Sequence, residues 1–312
     1  MDKIFVSISG VDEIDIRQTI NSCLENADSP ERIVFGLCIQ YQQYKPDNFD
    51  DIKNARVVKI SSEEILGVGM SRSISYVLNS GEKYFLLIDA HMLFEKGWDT
   101  KLIDYYLAAK SLNHKSIISG YAPSWYRDKD NQIVREDFYK RSLTLVNSDV
   151  AEQPIVGFDH NPETISINSL KLIKQKAVSY HFIFTETKNI KNFLPDTEII
   201  YNGDEATLSL RLYSNGYNIL CPDEIILWHL NKTIDNFYSN EKFRWQPLFL
   251  GKQKSRSIRE EYITYNAYNK VKDVFSGDIL GYYGANSKND IIEYEKFLGI
   301  SFKDSFEKKE KK

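Results

Sequence analysis

The sequence predicts an α/β fold: a mostly parallel β-sheet flanked by helices, followed by a C-terminal helical extension. Two observations carry this prediction. Over residues 1–121, short β-branched and aromatic runs alternate with stretches whose apolar residues have helical spacing. This alternation is typical of a parallel sheet with helices on both faces. The chain of 312 residues also lacks an internal repeat and a linker rich in Gly, Ser or Pro, which favours one main domain.

The N-terminal part supplies eight predicted elements in the order strand, helix, strand, strand, helix, strand, helix, strand. The predicted strands are Ile4–Ile8, Ile33–Ile39, Val57–Ile60, Tyr84–Ile88 and Ser116–Tyr121, and the predicted helices are Ile16–Ala27, Ser71–Leu78 and Trp98–Lys110. Ligands of such sheets bind beyond the carboxyl ends of the strands. The residues that follow each strand are therefore candidate site residues.

The C-terminal part is less regular. Residues 122–165 are expected to form irregular strands over the edge of the sheet. The remaining predicted elements are a strand at Ala177–Thr185, a helix at Asp204–Asn215 that ends before Gly216, strands at Asn218–Cys221 and Ile225–His229, and a helix at Ser257–Phe275. We expect a main domain over residues 1–250 and a helical extension over residues 251–312 that packs on it.

The composition argues against several classes of protein. The 40 Lys and Arg residues against 44 Asp and Glu residues give a net charge of −4, which argues against nucleic-acid binding. No segment reaches the roughly 18 apolar residues of a membrane span, and the N-terminus lacks the apolar core of a secretory signal. Cys23, Cys38 and Cys221 lack metal-ligand spacing, which predicts reduced core residues and a cytoplasmic protein.

Three residues at predicted strand ends are candidate metal ligands. Asp89 and His91 directly follow the strand Tyr84–Ile88, and residues two apart in extended chain point to the same side. A carboxylate and an imidazole suit a divalent ion such as Mn²⁺. His229, at the end of a distant predicted strand, would supply the third ligand. In the alternative interpretation, Asp89 caps the next turn, His91 packs on Trp98, and His229 is an ordinary core or surface histidine.

Two further segments contain candidate site residues. Gly67 and Gly69 precede a predicted helix whose N-terminus favours an anion, and Arg72 could bind phosphate oxygens. The alternative is an ordinary loop with a solvated arginine. Asp204 and Glu205 open another helix, where the helix dipole alone favours acids. The functional interpretation places one of these carboxylates beside a reacting group, and the sequence does not choose between them.

Taken in order, these segments resemble the GT-A glycosyltransferases. Within that group they resemble the cytoplasmic protein-hydroxyproline N-acetylglucosaminyltransferase family, glycosyltransferase family 60. The resemblance covers nearly the whole chain and is carried by Ile4–Ile8, Ser29–Gly36, Gly69–Arg72, Tyr84–Trp98, Tyr201–Glu205, Leu210–Tyr217, Trp228–His229, Leu280–Gly284 and Tyr294–Ile300.

The resemblance implies a GT-A fold, a Rossmann-like architecture that binds nucleotide sugars. It also implies a retaining enzyme that transfers GlcNAc from UDP-GlcNAc to a hydroxyl group with Mn²⁺ or a similar divalent cation. Asp89 and His91 would form the family's Asp-x-His motif and bind the ion together with His229. The ion would neutralise the diphosphate and stabilise the departing UDP.

The resemblance further implies which residues meet the donor. Arg72 would contact the nucleotide beside Asp89, and Ser7 or Ser9 would lie near the uridine. Trp228 and Tyr217 would line the same pocket; the alternative is that both belong to the core.

On the acceptor side, the resemblance implies that Glu205, with Asp204 beside it, lies near the sugar and the acceptor. Residues 122–165, where acceptor recognition is expected, match the family only around Gly120–Pro123 and Gly157-Phe158. The predicted acceptor is therefore a hydroxyl group of a protein, on hydroxyproline, Ser or Thr, or of a glycan.

Two other functions compete with a glycosyltransferase. A non-catalytic module of the same fold would bind a nucleotide sugar without turning it over. A metallohydrolase would use Asp89, His91, His160 and His229, although His160 lies outside any predicted strand end. Slow hydrolysis of a UDP-sugar that depends on Mn²⁺ would separate an enzyme from a binding module.

Overall fold

The computed structural model of the chain describes residues 1–41, 46–61, 67–137, 142–148, 151–190, 193–200, 202–236 and 258–307. Within these residues the strands are β1 (Ile4–Val11), β2 (Ile33–Tyr41), β3 (Ala55–Ser61), β4 (Tyr84–Ile88), β5 (Met92–Phe94), β6 (Ser116–Ser119), β7 (Ser124–Arg127), β8 (Ile133–Arg135), β9 (Ser142–Ser148), β10 (Gln153–Asp159), β11 (Thr164–Ile167), β12 (Leu170–Gln175), β13 (Phe182–Glu186), β14 (Asn218–Pro222) and β15 (Leu227–Leu230).

The described helices lie between and after these strands. They are α1 (Ile16–Glu25), α2 (Val68–Val77), α3 (Trp98–Leu112), α4 (Thr187–Ile190), α5 (Asp204–Ser214), α6 (Ile258–Ser276), α7 (Lys288–Leu298) and α8 (Phe302–Glu307). A 3₁₀ turn at Pro30–Arg32 precedes β2. Gly216 adopts a left-handed conformation, with φ of +71°, just beyond α5, as its predicted capping position requires.

The main sheet has the strand order β11-β12-β14-β6-β13-β4-β1-β2-β3. On one side, β4, β1, β2 and β3 run parallel, as the sequence predicts. β13 instead runs antiparallel to both of its neighbours, β4 and β6. The sheet is therefore mixed, because the chain returns through residues 120–181 and enters β13 from the opposite end.

The reversed direction of β13 determines what lies at the carboxyl end of β4. Phe182, the first residue of β13, pairs with Ile88, the last residue of β4. The residue before β13 is therefore level with the residue after β4. His181 and Asp89 consequently meet at one edge of the sheet.

The strand predicted at Ala177–Thr185 begins too early. Only the part from Phe182 onward forms β13. The backbone N–H groups of Val178 and Tyr180 donate to side chains of α5, Ser209 at 3.0 Å and Glu205 at 2.7 Å. Ser179, between them, is bonded to the side chain of Ser119 in β6. The residues before β13 are thus held by side chains of α5 and β6 rather than by the backbone of a neighbouring strand, although their burial resembles that of a strand.

Residues 122–165 contain regular pairs of strands. β7 and β8 join β5 and β15 in a four-stranded sheet of order β5-β15-β7-β8. β9 and β10 form an antiparallel pair. Only β11 extends the edge of the main sheet, so the expectation of strands over that edge is correct in part.

The main sheet is buried on both faces. Ile4, Val6 and Ile8 of β1 pack in one hydrophobic cluster, whereas Phe5 packs in another on the opposite face. Such alternation follows from the pleat of a strand. Burial on both faces also explains why the runs of β1 and β4 are almost continuously apolar.

The C-terminal helices share a third hydrophobic cluster with α5. Val271 of α6, Tyr294 of α7 and Phe302 of α8 are buried there beside Leu210. Gly203, at the N-cap of α5, is so close to α6 that a Cβ atom would lie 2.4 Å from the Val271 Cγ2 atom. The predicted boundary between residues 250 and 251 lies outside the described residues, and the division into two parts stays a prediction.

Cys23, Cys38 and Cys221 are buried, in line with their predicted place in the core. None of the described helices combines the length and apolar character needed to span a membrane.

Candidate active site

Three side chains with metal-binding atoms converge at the carboxyl end of β4. Asp89 follows β4, His181 precedes β13, and His229 lies in β15. One ligand atom from each lies within 4.8 Å of the others. We refer to these three residues as the Asp89 cluster.

Asp89 is held by two partners. Its Oδ2 atom lies 3.2 Å from Nε2 of His229, and its Oδ1 atom accepts a hydrogen bond from Nη2 of Arg72 at 3.3 Å. Burial raises the pKa of Asp89, but the hydrogen bond of His229 and the charge of Arg72 outweigh it and hold the pKa well below its usual range. The carboxylate is therefore ionised.

His181 was not identified from the sequence and is the most enclosed member of the Asp89 cluster. Its ring stacks on His229 with centroids 3.8 Å apart and on Tyr121 at 4.0 Å. Nδ1 of His181 is buried and has no hydrogen-bond partner within the described part of the chain. Burial lowers the pKa of His181 and of His229, so both imidazoles are neutral, as metal ligands must be.

The donor set of the Asp89 cluster fits a divalent cation. One carboxylate oxygen and two neutral imidazoles suit ions that accept both oxygen and nitrogen ligands. The buried Nδ1 atom of His181 would gain a partner in such an ion.

His91, the predicted ligand, lies beside the Asp89 cluster. Its Nε2 atom is 3.0 Å from Nε2 of His229, and its Nδ1 atom is 3.0 Å from Oε2 of Glu13. The sequence thus correctly placed His91 near Asp89 and His229. In the group of three that lies within 4.8 Å, His181 joins Asp89 and His229, and His91 stands next to this group.

Arg72 joins the Asp89 cluster to a second group of acids. Its Nη1 atom donates to Oδ2 of Asp204 at 2.7 Å, and its guanidinium lies 3.7 Å from the ring centre of Tyr180. Burial lowers the pKa of Arg72, but Asp204 and Asp89 outweigh burial and raise it. Arg72 therefore remains charged between the two carboxylates.

The N-terminus of α2 was predicted to bind an anion, but its first N–H group already donates a hydrogen bond within the protein. Val68 donates to the carbonyl of Ile200 at 2.8 Å. Gly69 packs so closely on the same segment that a Cβ atom would lie 2.0 Å from the Asp196 carbonyl oxygen. The glycines therefore place α2, and with it Arg72, against residues 196–200.

Asp204, which is buried, and Glu205, which is half-buried, form an acidic pair at the start of α5. The N–H of Glu205 donates to Oδ1 of Asp204 at 2.9 Å, and Oε1 of Glu205 accepts from the N–H of Tyr180. Burial raises the pKa of Asp204 in spite of Arg72. Burial and the charge of Asp204 together raise the pKa of Glu205. The pair can therefore hold a proton near neutral pH.

The other predicted donor residues lie in three different environments. Ser7 is 1% exposed and its hydroxyl group is hydrogen-bonded to Ser75 of α2. Ser9 is half-buried and lies two residues closer to the edge of the sheet. Trp228 is 5% exposed and packs with Trp125 in the small sheet. Successive residues of a strand point to opposite faces, so Trp228 points away from the Asp89 cluster that contains its neighbour His229.

His160, the additional ligand of the metallohydrolase alternative, is exposed just beyond β10. It does not belong to the only metal-ligand group found among the described residues.

The sequence interpretation missed His181 and Glu13 for different reasons. His181 precedes a strand, whereas ligands of a parallel sheet are expected to follow one. Glu13 follows β1 by two residues, and β1 ends at the same edge of the sheet as β4. An acidic residue just beyond the first predicted strand is therefore a signal for Glu13 that the sequence contains.

The chain matches the family model described as Glycosyltransferase (GlcNAc) over residues 45–304. Among curated proteins, none matches the chain in sequence. In structure, the chain is similar to GalNAc-T7, crystallised with UDP, GalNAc and Mn²⁺, with a TM-score of 0.59 at 11% identity over 99% of this chain and 57% of that chain. The chain thus spans little more than half the length of that protein.

A fragment of S. aureus TarS is also similar, with a TM-score of 0.43 at 15% identity over 88% of this chain and 73% of that chain. Its complex with UDP-GlcNAc gives a TM-score of 0.43 at 14% identity over 86% and 72% of the two chains. The likeness to GalNAc-T7 shows the GT-A fold that the sequence predicts. Because the family model covers most of the residues, the chain belongs to the Glycosyltransferase (GlcNAc) family.

Proposed function

We propose that the chain is a metal-dependent, retaining glycosyltransferase that moves GlcNAc from UDP-GlcNAc onto a hydroxyl group of a protein or glycan. The observation that carries this proposal is the Asp89 cluster and its link through Arg72 to the acidic pair Asp204 and Glu205. The guanidinium group of Arg72 thus joins the proposed cation site to the acidic pair proposed to meet the sugar.

The family supports the GlcNAc part of the donor, and the Mn²⁺ and UDP bound to GalNAc-T7 support a metal and a nucleotide at the corresponding fold. Asp89, His181 and His229 would hold the ion, with His91 beside them. A bound divalent cation would neutralise the diphosphate and stabilise the departing UDP.

Arg72 and Ser9 are the proposed donor-side residues. Arg72 is charged and lies next to Asp89, so it can donate hydrogen bonds to phosphate oxygens. Ser9 is half-buried near the edge, whereas Ser7 and Trp228 are enclosed in the core.

Glu205 is the proposed carboxylate beside the reacting sugar. Both oxygens of Asp204 are engaged, Oδ2 by Arg72 and Oδ1 by the Glu205 N–H. Asp204 therefore positions Arg72 and the start of α5. Glu205 would stabilise positive charge at the anomeric carbon when it is ionised.

The acceptor and the location belong to the same proposal. The resemblance to the hydroxyproline-modifying family makes a hydroxyproline of a protein one candidate acceptor. A Ser or Thr hydroxyl of a protein, or a glycan hydroxyl, is at least an equal candidate, because residues 122–165 match that family only in part. Three buried cysteines, which the sequence predicts to be reduced, are in keeping with the cytoplasm as the proposed place of action.

A screen of nucleotide sugars for Mn²⁺-dependent UDP release tests the proposal, followed by mass spectrometry of the modified acceptor. We expect UDP-GlcNAc to be the best donor and EDTA to stop the reaction. Asp89→Ala and His229→Ala should abolish UDP release while circular dichroism stays unchanged. Full activity of both variants in excess EDTA would contradict the proposal, and binding of UDP-GlcNAc without any turnover would indicate a binding module instead.

A further inference from the structure

Glu13 lies beside the Asp89 cluster without belonging to it. It follows the end of β1 by two residues, and its side chain is 6% exposed. Gly10 allows this approach, because a Cβ atom there would lie 2.9 Å from the Glu13 Cβ atom and 3.1 Å from the Ala90 Cβ atom. The end of β1 is therefore in close contact with the turn that carries Asp89 and His91.

One oxygen of Glu13 accepts two hydrogen bonds. Oε2 lies 3.0 Å from Nδ1 of His91 and 2.8 Å from Nζ of Lys232. Burial raises the pKa of Glu13, but Lys232 and His91 outweigh burial and hold the pKa well below its usual range. A carboxylate can only accept hydrogen bonds, so Nδ1 of His91 must carry the hydrogen.

The tautomer of His91 determines where its lone pair points. With hydrogen on Nδ1, a neutral imidazole has its lone pair on Nε2. Nε2 of His91 lies 3.0 Å from Nε2 of His229, which is itself 3.2 Å from Oδ2 of Asp89. The lone pair of His91 is thus directed at the Asp89 cluster.

We infer that Glu13 is a positioning residue that fixes the Nδ1–H tautomer of His91 and thereby presents Nε2 to a divalent cation at the Asp89 cluster. This inference rests on the proposed function, from which it takes the cation. A carboxylate bonded to the second nitrogen of a metal-binding histidine orients the ring, and its loss typically weakens metal binding roughly 10- to 100-fold. Lys232 supports Glu13 by compensating its buried charge.

The first experiment reads the tautomer in the metal-free protein. Long-range ¹H–¹⁵N correlation spectra distinguish the two tautomers of each of the five histidines, and His91→Gln assigns the signals of His91. We expect the Nδ1–H form in the wild type and a mixture of tautomers in Glu13→Ala. Glu13→Gln should restore the Nδ1–H form, because the amide oxygen can still accept from Nδ1.

The second experiment measures Mn²⁺ affinity by calorimetry. We expect roughly 10- to 100-fold weaker binding in Glu13→Ala and partial recovery in Glu13→Gln. Glu186→Ala is the matched control, because the side chain of Glu186 is 8% exposed, close to the value for Glu13, and pairs with two lysines, Lys110 and Lys188, at the far end of β13. It should lower stability without changing Mn²⁺ affinity.

Three outcomes separate the possibilities. The expected tautomer change together with selective loss of Mn²⁺ affinity supports the inference. If Glu13→Ala keeps the Nδ1–H tautomer of His91 or the Mn²⁺ affinity of the wild type, the inferred role of Glu13 is wrong, while the proposed function stands. The same conclusion follows if Glu186→Ala weakens Mn²⁺ binding as much as Glu13→Ala does. Failure of the wild type to bind Mn²⁺ would contradict the metal dependence in the proposed function, and this inference with it.

Discussion

His181 belongs to the Asp89 cluster, although it was not among the site residues predicted from the sequence. To test this role, we propose His181→Phe, which keeps a ring stacked between Tyr121 and His229 but removes both nitrogen atoms. We expect Mn²⁺ affinity, measured by calorimetry, to fall at least about 10-fold, because loss of a residue that only hydrogen-bonds to a metal ligand already has an effect of this size. Tyr121→Phe is the control, because it preserves the stack and removes no metal ligand. Unchanged affinity in His181→Phe would leave Asp89, His91 and His229 as the ligands.

The acidic pair predicts a dependence of stability on pH. The pKa of Glu205 is raised from its ordinary value of 4.5 to about 7 by burial and by Asp204. A carboxyl whose pKa is raised by folding contributes stability below its unfolded pKa, and this contribution is lost as the pH rises through the folded pKa. Glu205→Gln should therefore gain stability relative to the wild type between pH 4.5 and pH 8.

Thermal melts of both proteins across this pH range measure the difference. Glu293→Gln, which removes an exposed carboxyl from α7, is the matched control. A difference between Glu205→Gln and the wild type that does not change with pH would contradict the raised pKa. Because Glu205 is proposed to act as a carboxylate, UDP release by the wild type should also decline as the pH falls below about 7.

Single residues show how far the sequence interpretation reached. Asp89 was predictable because it ends the most apolar strand, and the direction of a parallel strand places its last residue at the ligand edge. His181 was not predictable by this rule, since a strand run does not reveal whether the strand is parallel or antiparallel. For Trp228 the sequence left two alternatives, the donor pocket and the core, and the structure shows that the indole packs in the small sheet.

At the level of elements, α2 connects packing to the site. Gly69 allows this helix to lie against the Asp196 carbonyl, and Arg72 follows three residues later. We predict that Gly69→Ala destabilises the protein by roughly 1–3 kcal/mol, the usual cost of overpacking. Alanine favours a helix over glycine by only about 1 kcal/mol, so the clash with an immobile backbone atom should dominate.

Urea unfolding measures this cost, and the rate of UDP release reports the displacement of Arg72. Val77→Ala is the control, because Val77 is 69% exposed on the same helix. Its effect should stay within about 0.5 kcal/mol. Equal stability of Gly69→Ala and the wild type would show that α2 can shift without cost.

Most elements of the N-terminal half could be predicted, and their positions agree with the structure to within a few residues. Alternation of apolar runs was a sufficient signal for β1, β2 and β4, which are buried on both faces. β5 and β12 were missed, since β5 has only three residues and β12 contains two lysines among its apolar residues. The segment before β13 was wrongly predicted to be a strand. It is apolar because it is buried, but its backbone N–H groups donate to side chains rather than to a strand backbone.

For the molecule as a whole, the C-terminal helices complete the packing around α5. Tyr294 of α7 is fully buried and donates to the carbonyl of Lys176 at 2.6 Å. We predict that Tyr294→Ala lowers the free energy of unfolding by about 3–5 kcal/mol, as for other large aromatic core residues. Ile292→Ala, at a 48% exposed position of the same helix, is the control and should change it by less than about 0.5 kcal/mol.

Truncation after residue 250 tests the same packing on a larger scale. It removes Val271, Tyr294 and Phe302 from the cluster that covers Leu210. We expect the shortened chain to aggregate or to bind a dye for exposed apolar surface, because the inner face of α5 is uncovered. A shortened chain that is monomeric and melts like the full chain would instead establish residues 1–250 as an independently folding domain.

The wide separation of Asp89, His181 and His229 along the chain has a consequence for folding kinetics. The three candidate ligands meet only after β13 has paired with β4 and β15 has paired with β5, and such long-range pairings form slowly. A half-made chain that ends before β15 has β1 to β4 but lacks a complete set of ligands. The onset of tight Mn²⁺ binding during refolding would therefore mark the completion of the native topology rather than its nucleation.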